Sequence, residues 1–394
     1  MPAQAGTQLI NSKKAALKPA VVAIMIRAMA ERNDVLGAPL LVELARGPEP
    51  VLQLAALDGL GDCGEGSVVA VLAEAAAKLQ GPPQQAARNS LERMSAANVD
   101  TAILAALSGA EPKVKQEYCR ALGARRAVSA VPVLLDMAGK DADQAVCADA
   151  IKAVGSLGGI KDVDALLAIL IAPKSDAEGK SAEEAISGII SRVHDADQRA
   201  TPLLAAIDKA GKAKASILQL LGRTGSDKAV AVLRAASKDA DKEMQTAAIR
   251  AMGEWPSDGM ADDLHALALA SKDQTQQVLA IRGFNKALSY QNTRKSADVV
   301  KLYGELLPVA RPDERKGILS GLSNISTIES FKLVAGQLDA PGTQNEAMNA
   351  CVKIGRDIVG KYPQEVGPVA KKIRDTTKDE RVKGTATEIL DRVK

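Results

Sequence analysis

At 394 residues the chain is long enough for two or three ordinary domains, and 46% of it is apolar while only 2% is aromatic. A core built from Ala, Leu, Val and Ile suits tightly packed helices and is poor material for a sheet. No apolar run approaches the roughly 18 to 20 uninterrupted residues that a membrane helix needs, which predicts a soluble chain, and its formal net charge of +3 balances 51 basic against 48 acidic side chains.

The first six residues, MPAQAG, resemble the small-residue end of a signal-peptide cleavage site but lack the apolar segment that precedes one. A cytoplasmic protein and a processed exported or periplasmic one both fit. Residues 1–18 read as a polar lead, with a partial helix over 8–17 that covers the exposed end of the first helical hairpin. Pro19 then opens a helix with Val21, Met25 and Met29 in register, and 38–45 returns as its partner. Further return helices are expected over 68–79, 99–107, 129–138 and 162–171.

The clearest unit is Val114 to Ala138, VKQEYCRALGARRAVSAVPVLLDMA. Val114, Tyr118 and Leu122 share one helical face, Gly123 follows, and Pro132 opens a second apolar stripe through Val133, Leu134, Met137 and Ala138. With Leu122 as an anchor, the pattern recurs at Met29, Leu60, Leu91, Val154, Ile190, Leu221, Met252, Leu288, Leu322, Ile354 and Leu390, at intervals of 31 to 36 residues. Phe284 serves about as well as Leu288. Four residues before six of the twelve anchors stands an alanine, among them Ala56, Ala87, Ala150 and Ala248, which lets helices approach closely. Gly61, Gly123, Gly155, Gly222, Gly253 and Gly355 directly follow their anchors and are expected as left-handed helix caps. A hairpin of this size cannot bury its apolar faces alone, so the copies must stack.

Residues 173–180, PKSDAEGK, read as an exposed insertion, and the period loosens again over 284–312. An expanded turn is expected around Gly360 to Pro363. A final helix over 382–393 has no return partner, so it either caps the array or marks a chain that was cut.

The alanine-rich first helix, Leu-Gly stop, short turn and Val-Pro-x-Leu second helix in CRALGARRAVSAVPVLLDMA, and again in IRAMGEWPSDGMADDLHALALA, resemble HEAT repeats, in particular the short bacterial HEAT-like repeats of the phycobilin-lyase type. The resemblance covers roughly residues 19–394, which read as a single continuous repeat array rather than two or three separate domains, and implies an all-α fold. That fold is an α-solenoid, a right-handed superhelix of about 11–12 stacked helical hairpins, with second helices lining a concave face and first helices outside. HEAT families include protein-binding scaffolds, bilin lyases, DNA alkylation glycosylases and a di-iron hydroxylase, so the fold alone does not choose a function.

The residues narrow the choice. Two histidines, His194 and His265, are too few for a di-iron site and stand in non-neighbouring repeats. Cys63, Cys119, Cys147 and Cys351 show no CxxC pairing and read as small buried helix residues. Gly59, Gly61 and Gly64 match GxGxxG but follow a helix and read as helix stops. Gly179, Lys180 and Ser181 end a P-loop pattern whose first glycine is replaced by Lys174. No catalytic constellation, metal site or cofactor is expected.

Residues 1–200 carry 21 basic and 24 acidic groups, and residues 201–394 carry 30 and 24. The basic excess of the second half includes a candidate patch of Lys371, Lys372, Arg374, Lys378, Arg381 and Lys383, and a second cluster between Lys209 and Lys242. Both are interleaved with carboxylates, the pattern of a solvated helix face. Four of the seven aromatics, Trp255, Phe284, Tyr290 and Tyr303, fall where the period loosens. Trp255, Tyr290 and Tyr303, with Arg282 and Arg294, form a candidate partner-binding patch; the alternative is that the rings fill gaps between ill-fitting units. The expected role is a non-catalytic scaffold or adaptor that holds a protein or peptide along the concave face. A nucleic-acid backbone binder using the basic half is the second reading, and a chromophore lyase-like enzyme the third.

Overall fold

The computed structural model describes residues 3–291 and 293–393. Met1 and Pro2, at the start of the MPAQAG motif, lie outside the described residues, as do Asn292 in the loosened stretch and Lys394 after the last helix. Among the described residues there are 24 α-helices, seven 3-10 turns and no strand, and no helix is long and apolar enough to cross a membrane. The helices fall into two compact units, Met1–His194 and Asp195–Lys394. In sequence the repeat period runs through this boundary unbroken, from Ile190 to Leu221.

In the first unit α1 (Ala3–Lys13) precedes the hairpins. These pair α2 (Pro19–Ala30) with α3 (Ala38–Ala45), α4 (Pro50–Cys63) with α5 (Val69–Lys78), and α6 (Pro82–Arg93) with α7 (Val99–Leu107). Next come α8 (Pro112–Ala124) with α9 (Val131–Lys140) and α10 (Gln144–Leu157) with α11 (Val163–Ile171), and α12 (Asp176–Ser191) ends the unit. The second unit opens with α13 (Ala196–Ala206), followed by α14 (Lys214–Gly222) with α15 (Asp227–Ala236) and α16 (Lys242–Gly253) with α17 (Ala261–Ala270). It continues with α18 (Gln274–Ser289) and α19 (Ser296–Leu306), then α20 (Pro312–Leu322) and α21 (Ile328–Ala335). Last are α22 (Gln344–Ile358), α23 (Pro363–Thr376) and α24 (Glu380–Val393). All twelve anchors lie on even-numbered helices from α2 to α24, and within each unit these first helices pack on one another in sequence order.

Two devices start the first helices. Proline stands at the first position of α2, α4, α6, α8 and α20, where its missing N–H costs nothing. Aspartate caps α10, α16 and α18, with Asp143 Oδ1 accepting from the Ala145 N–H at 2.8 Å and Asp273 Oδ1 from Thr275 N–H at 2.9 Å. The second helices begin slightly later than their apolar stripes suggest. Val68, Ser129 and Asp162 belong instead to 3-10 turns, Gly66–Val68, Val128–Ala130 and Ile160–Asp162, which tighten the entry to α5, α9 and α11.

The alanines before the anchors are buried as expected, with Ala56, Ala87, Ala150 and Ala248 all at 0% exposure. Phe284 is fully buried and Leu288 only half-buried, which resolves that phase; Ile389 likewise takes the core position beside half-buried Leu390. The glycine reading needs correction. Gly61, Gly123, Gly155, Gly222, Gly253 and Gly355 sit inside their helices, and positive φ occurs among glycines at Gly81, Gly211, Gly225 and Gly342 instead. Four of the six make room for a neighbouring first helix: a Cβ on Gly155 would stand 2.8 Å from Ala185 Cα, one on Gly222 2.1 Å from the Ala251 carbonyl oxygen, one on Gly253 3.3 Å from Gly283 Cα, and one on Gly61 2.6 Å from Ser90 Oγ. Gly59 and Gly61 are likewise within α4, and only Gly64 caps it.

The insertion at 173–180 is shorter as a loop than its composition suggests, because α12 starts at Asp176. Ser175 Oγ accepts the Glu178 N–H and the buried Glu178 carboxylate accepts the Lys174 N–H, so a capping motif converts polar sequence into helix. At the chain's beginning α1 covers the first hairpin through Ile10, but Leu9, Val35 and Leu36 stay exposed around a groove of about 590 Å³, and Ile24 is exposed as well. α24 packs Val382, Ala386 and Ile389 inward and turns a polar face out.

Candidate functional site

The aromatic cluster forms, but as core. Phe284 on α18 meets the Tyr303 ring of α19 edge-on at 5.4 Å and the His265 ring of α17 at 5.6 Å. Trp255, at 4% exposure, lies beneath the 3-10 turn Asp258–Met260, and Tyr303 is 3% exposed. Burial pushes the Tyr303 hydroxyl up to about 12. The Phe284, Tyr303 and His265 rings pack together between α17, α18 and α19, and two of the five patch residues, Trp255 and Tyr303, are buried. Arg282 spends its guanidinium on Glu314, donating from Nε at 3.0 Å and Nη2 at 2.7 Å to a fully buried carboxylate that Arg311 also reaches. Arg294 is clamped between Asp258 at 2.8 Å and Asp262 at 2.7 Å; the Asp262 hydrogen bond outweighs burial and holds its pKa above the ordinary value. Tyr290 is half-buried at the end of α18.

The two histidines have different surroundings. His194 is exposed, while His265 is buried with Nε2 3.2 Å from Glu305 Oε2, within ion-pair reach but misaligned for a hydrogen bond. Among the described residues no three His, Cys, Asp or Glu side chains gather where they could hold a metal ion. The four cysteines are free and buried. Burial, assisted by nearby carboxylates, raises Cys63 to about 11 and Cys119 to about 12, and burial alone takes Cys351 to about 12. All four thiols are therefore expected to ignore a disulfide reagent at about pH 8 in the native protein and to react once it is denatured, because only thiolate attacks. A thiol titrating rapidly in the folded chain would contradict this packing.

The candidate basic patch is paired in part. Lys372 Nζ is 2.7 Å from Asp339, Arg374 is 2.8 Å from Asp375, and Lys383 is 3.8 Å from Glu380. Lys371 and Lys378 are exposed. Arg381 points elsewhere, toward Asn349 on α22 at 3.5 Å. The earlier basic cluster is likewise paired in part, Lys228 with Asp197 and Arg234 with Asp263, both at 2.8 Å.

Sequence reasoning missed the arginines that tie one repeat to the last. Arg93 reaches Asp58 and Asp62 on α4, Arg125 donates to three carbonyls at the end of α6, Arg192 to Gly155 O and Gly158 O, and Arg392 to Arg356 O. Each follows its anchor by two or three residues, a recurrence visible in the sequence. They supply donors to the carbonyls that a helix end leaves unpaired.

The second helices, in contrast, leave small side chains outward. In the first unit Ala70, Ala105, Ala165 and Ala168 are exposed, and in the second Ala205, Ala231, Ala235, Ala266 and Ala270.

A family model described as HEAT repeats matches residues 100–187. Those residues are HEAT repeats. Helical hairpins with the same order of first and second helix continue on both sides of them. Among curated proteins none matches the chain. Solved HEAT-type karyopherins share its fold. Kap121p bound to the SUMO protease Ulp1p matches 99% of this chain and 49% of its own at 9% identity and a TM-score of 0.59. Kap95p, the yeast importin-β, in its complex with RanGDP, matches 98% and 61% at 13% identity and 0.56, and Kap121p bound to Nup53p matches 100% and 45% at 13% and 0.55. The chain thus spans about half the length of these karyopherins, and identities this low concern fold alone.

Proposed function

We propose that this protein is a non-catalytic scaffold that holds a protein or peptide partner along the exposed faces of its second helices. The observation that carries this reading is the outward row of alanines on those helices. An exposed alanine has no rotamer freedom to lose when it is covered and lets a partner's backbone come close, so contact there is cheap in entropy. The karyopherins of similar fold are seen bound to protein partners, Ulp1p, RanGDP and Nup53p among them, which is compatible with the same use of a solenoid here. Many modest contacts over a long surface replace a deep pocket.

The test pairs Ala105→Arg with Ala168→Arg, both on exposed second-helix positions. The native chain is expected to retain a discrete protein from extract of its source at about 150 mM salt, and the double variant to lose at least about tenfold of it with unchanged melting. Equal recovery by both proteins would refute the placement on the second helices. Recovery of nucleic acid that falls away steeply with added salt would favour backbone binding instead.

A further inference from the structure

We propose that the groove between α20, α22 and α24 is a second docking site, for an acidic peptide segment of a protein partner. It encloses about 510 Å³, and four cations line it, Lys316, Lys353, Arg356 and Arg381, against one carboxylate, Glu346. Lys316 lies 3.7 Å from Asp313 and 3.9 Å from Glu346. The other three have no carboxylate within 4 Å among the described residues: Lys353 Nζ donates to Asn324 Oδ1 at 2.6 Å, and the Arg381 guanidinium reaches Asn349. All three are exposed. On the neighbouring first helix α18 the cations are already used, Arg282 on Glu314 and Lys286 on Glu254. Three cations without a carboxylate partner thus converge on one groove, where an anion gains most.

The lining chooses the class of anion. Ser323 Oγ donates to Ser320 O and Thr385 Oγ1 to Arg381 O, so both hydroxyls keep lone pairs facing outward that accept peptide N–H groups. Arginine forks bind carboxylates in two-point geometry. No aromatic ring lines the groove, so bases of a single strand would find no stacking platform. Nor is there the long row of uncommitted cations that duplex backbone binding draws on. An adjoining cleft lined by Asn345, Met348 and Lys378 shares Asn349 and Val382 with the groove, which gives an extended segment room to run on past α24's first turn.

This site lies on first helices and rests on the scaffold reading only in supposing that the partner is a protein. The test uses the full chain with a labelled Glu-rich peptide, the same peptide with Gln for Glu, and a short DNA duplex. The Glu peptide is expected to bind at least about tenfold more tightly than the Gln peptide at about 50 mM salt. Arg356→Gln with Arg381→Gln should weaken it about tenfold, and Lys353→Gln in the same direction by less, each with unchanged melting, while Lys371→Gln leaves it at the native value. Glu and Gln peptides that bind alike, variants that bind like the native chain, or DNA that binds more tightly than the Glu peptide would each overturn the proposal. Loss of the second-helix partner through the alanine variants leaves this experiment unaffected, so the two readings fail separately.

Discussion

Replacing Gly222 by alanine is expected to destabilise the second unit strongly, while the same change at Gly123 leaves the first unit as stable or slightly more so. The two glycines occupy the same place in the repeat, one residue after the anchors Leu221 and Leu122. A Cβ on Gly222 would lie 2.1 Å from the carbonyl oxygen of Ala251 and 2.7 Å from its Cα, and both are backbone of α16, so no side chain can swing away. α14 and α16 would have to part, at a cost of about 1–3 kcal/mol or more for overpacking. At Gly123 the nearest atoms are Ala153 Cα and Cβ at 3.7 Å, ordinary contact. There the methyl fits, and alanine in a helix gains up to about 1 kcal/mol over glycine. Denaturant unfolding followed by far-UV circular dichroism separates the outcomes. If Gly222→Ala melted with the native protein, the two helices would not be held at the distance described.

That contrast shows where the sequence stops being sufficient. Spacing revealed the alternation of first and second helices because a residue such as Leu60 or Leu122 must be buried once per unit, and burial leaves a period of thirty-odd residues. Burial also resolved the choice between Phe284 and Leu288, which spacing left open. A glycine after an anchor is ambiguous: it suits a left-handed cap or a close helix crossing, and only the position of Ala251 or Ala185 decides. The aromatic patch failed for a related reason. Trp255 and Tyr303 are as fit for an interface as for a gap in the core, and their irregular surroundings were the sign that gaps exist. For the charges, the decisive partners lie a whole repeat away, Glu314 for Arg282 and Asp339 for Lys372. Local interleaving of signs could not tell a clamped arginine from an available one, and so the groove cations Lys353 and Arg356 went unnoticed.

The largest effect of a charged side chain is expected at Arg125. Its side chain is only 10% exposed, and Nη1 donates to Leu91 O at 3.1 Å, Glu92 O at 3.4 Å and Met94 O at 2.6 Å while Nε meets Asp100 Oδ1 at 2.5 Å. The carbonyls belong to the last turn of α6, which has no intrahelical donors for them and carries the negative end of the helix dipole. Arg125→Ala strands these oxygens in a half-buried site and is expected to cost about 3–4 kcal/mol, since hydrogen bonds to charged groups contribute about 1.5–3 kcal/mol each and do not add fully. Arg125→Lys should recover less than half of that, because a single ammonium cannot span both the carbonyls and Asp100. Arg120→Ala is the control: that side chain is 45% exposed and 3.8 Å from Glu117, and its loss should change stability by less than about 0.5 kcal/mol. Hydrogen exchange adds a spatial criterion. Because each repeat leans on its neighbours, protection should fall in α6 and α8, where the clamp sits, and stay unchanged in α2. A uniform loss of protection throughout the first unit would mean that the hairpins unfold as one body, and the arginine clamp would then not be a bond between neighbours.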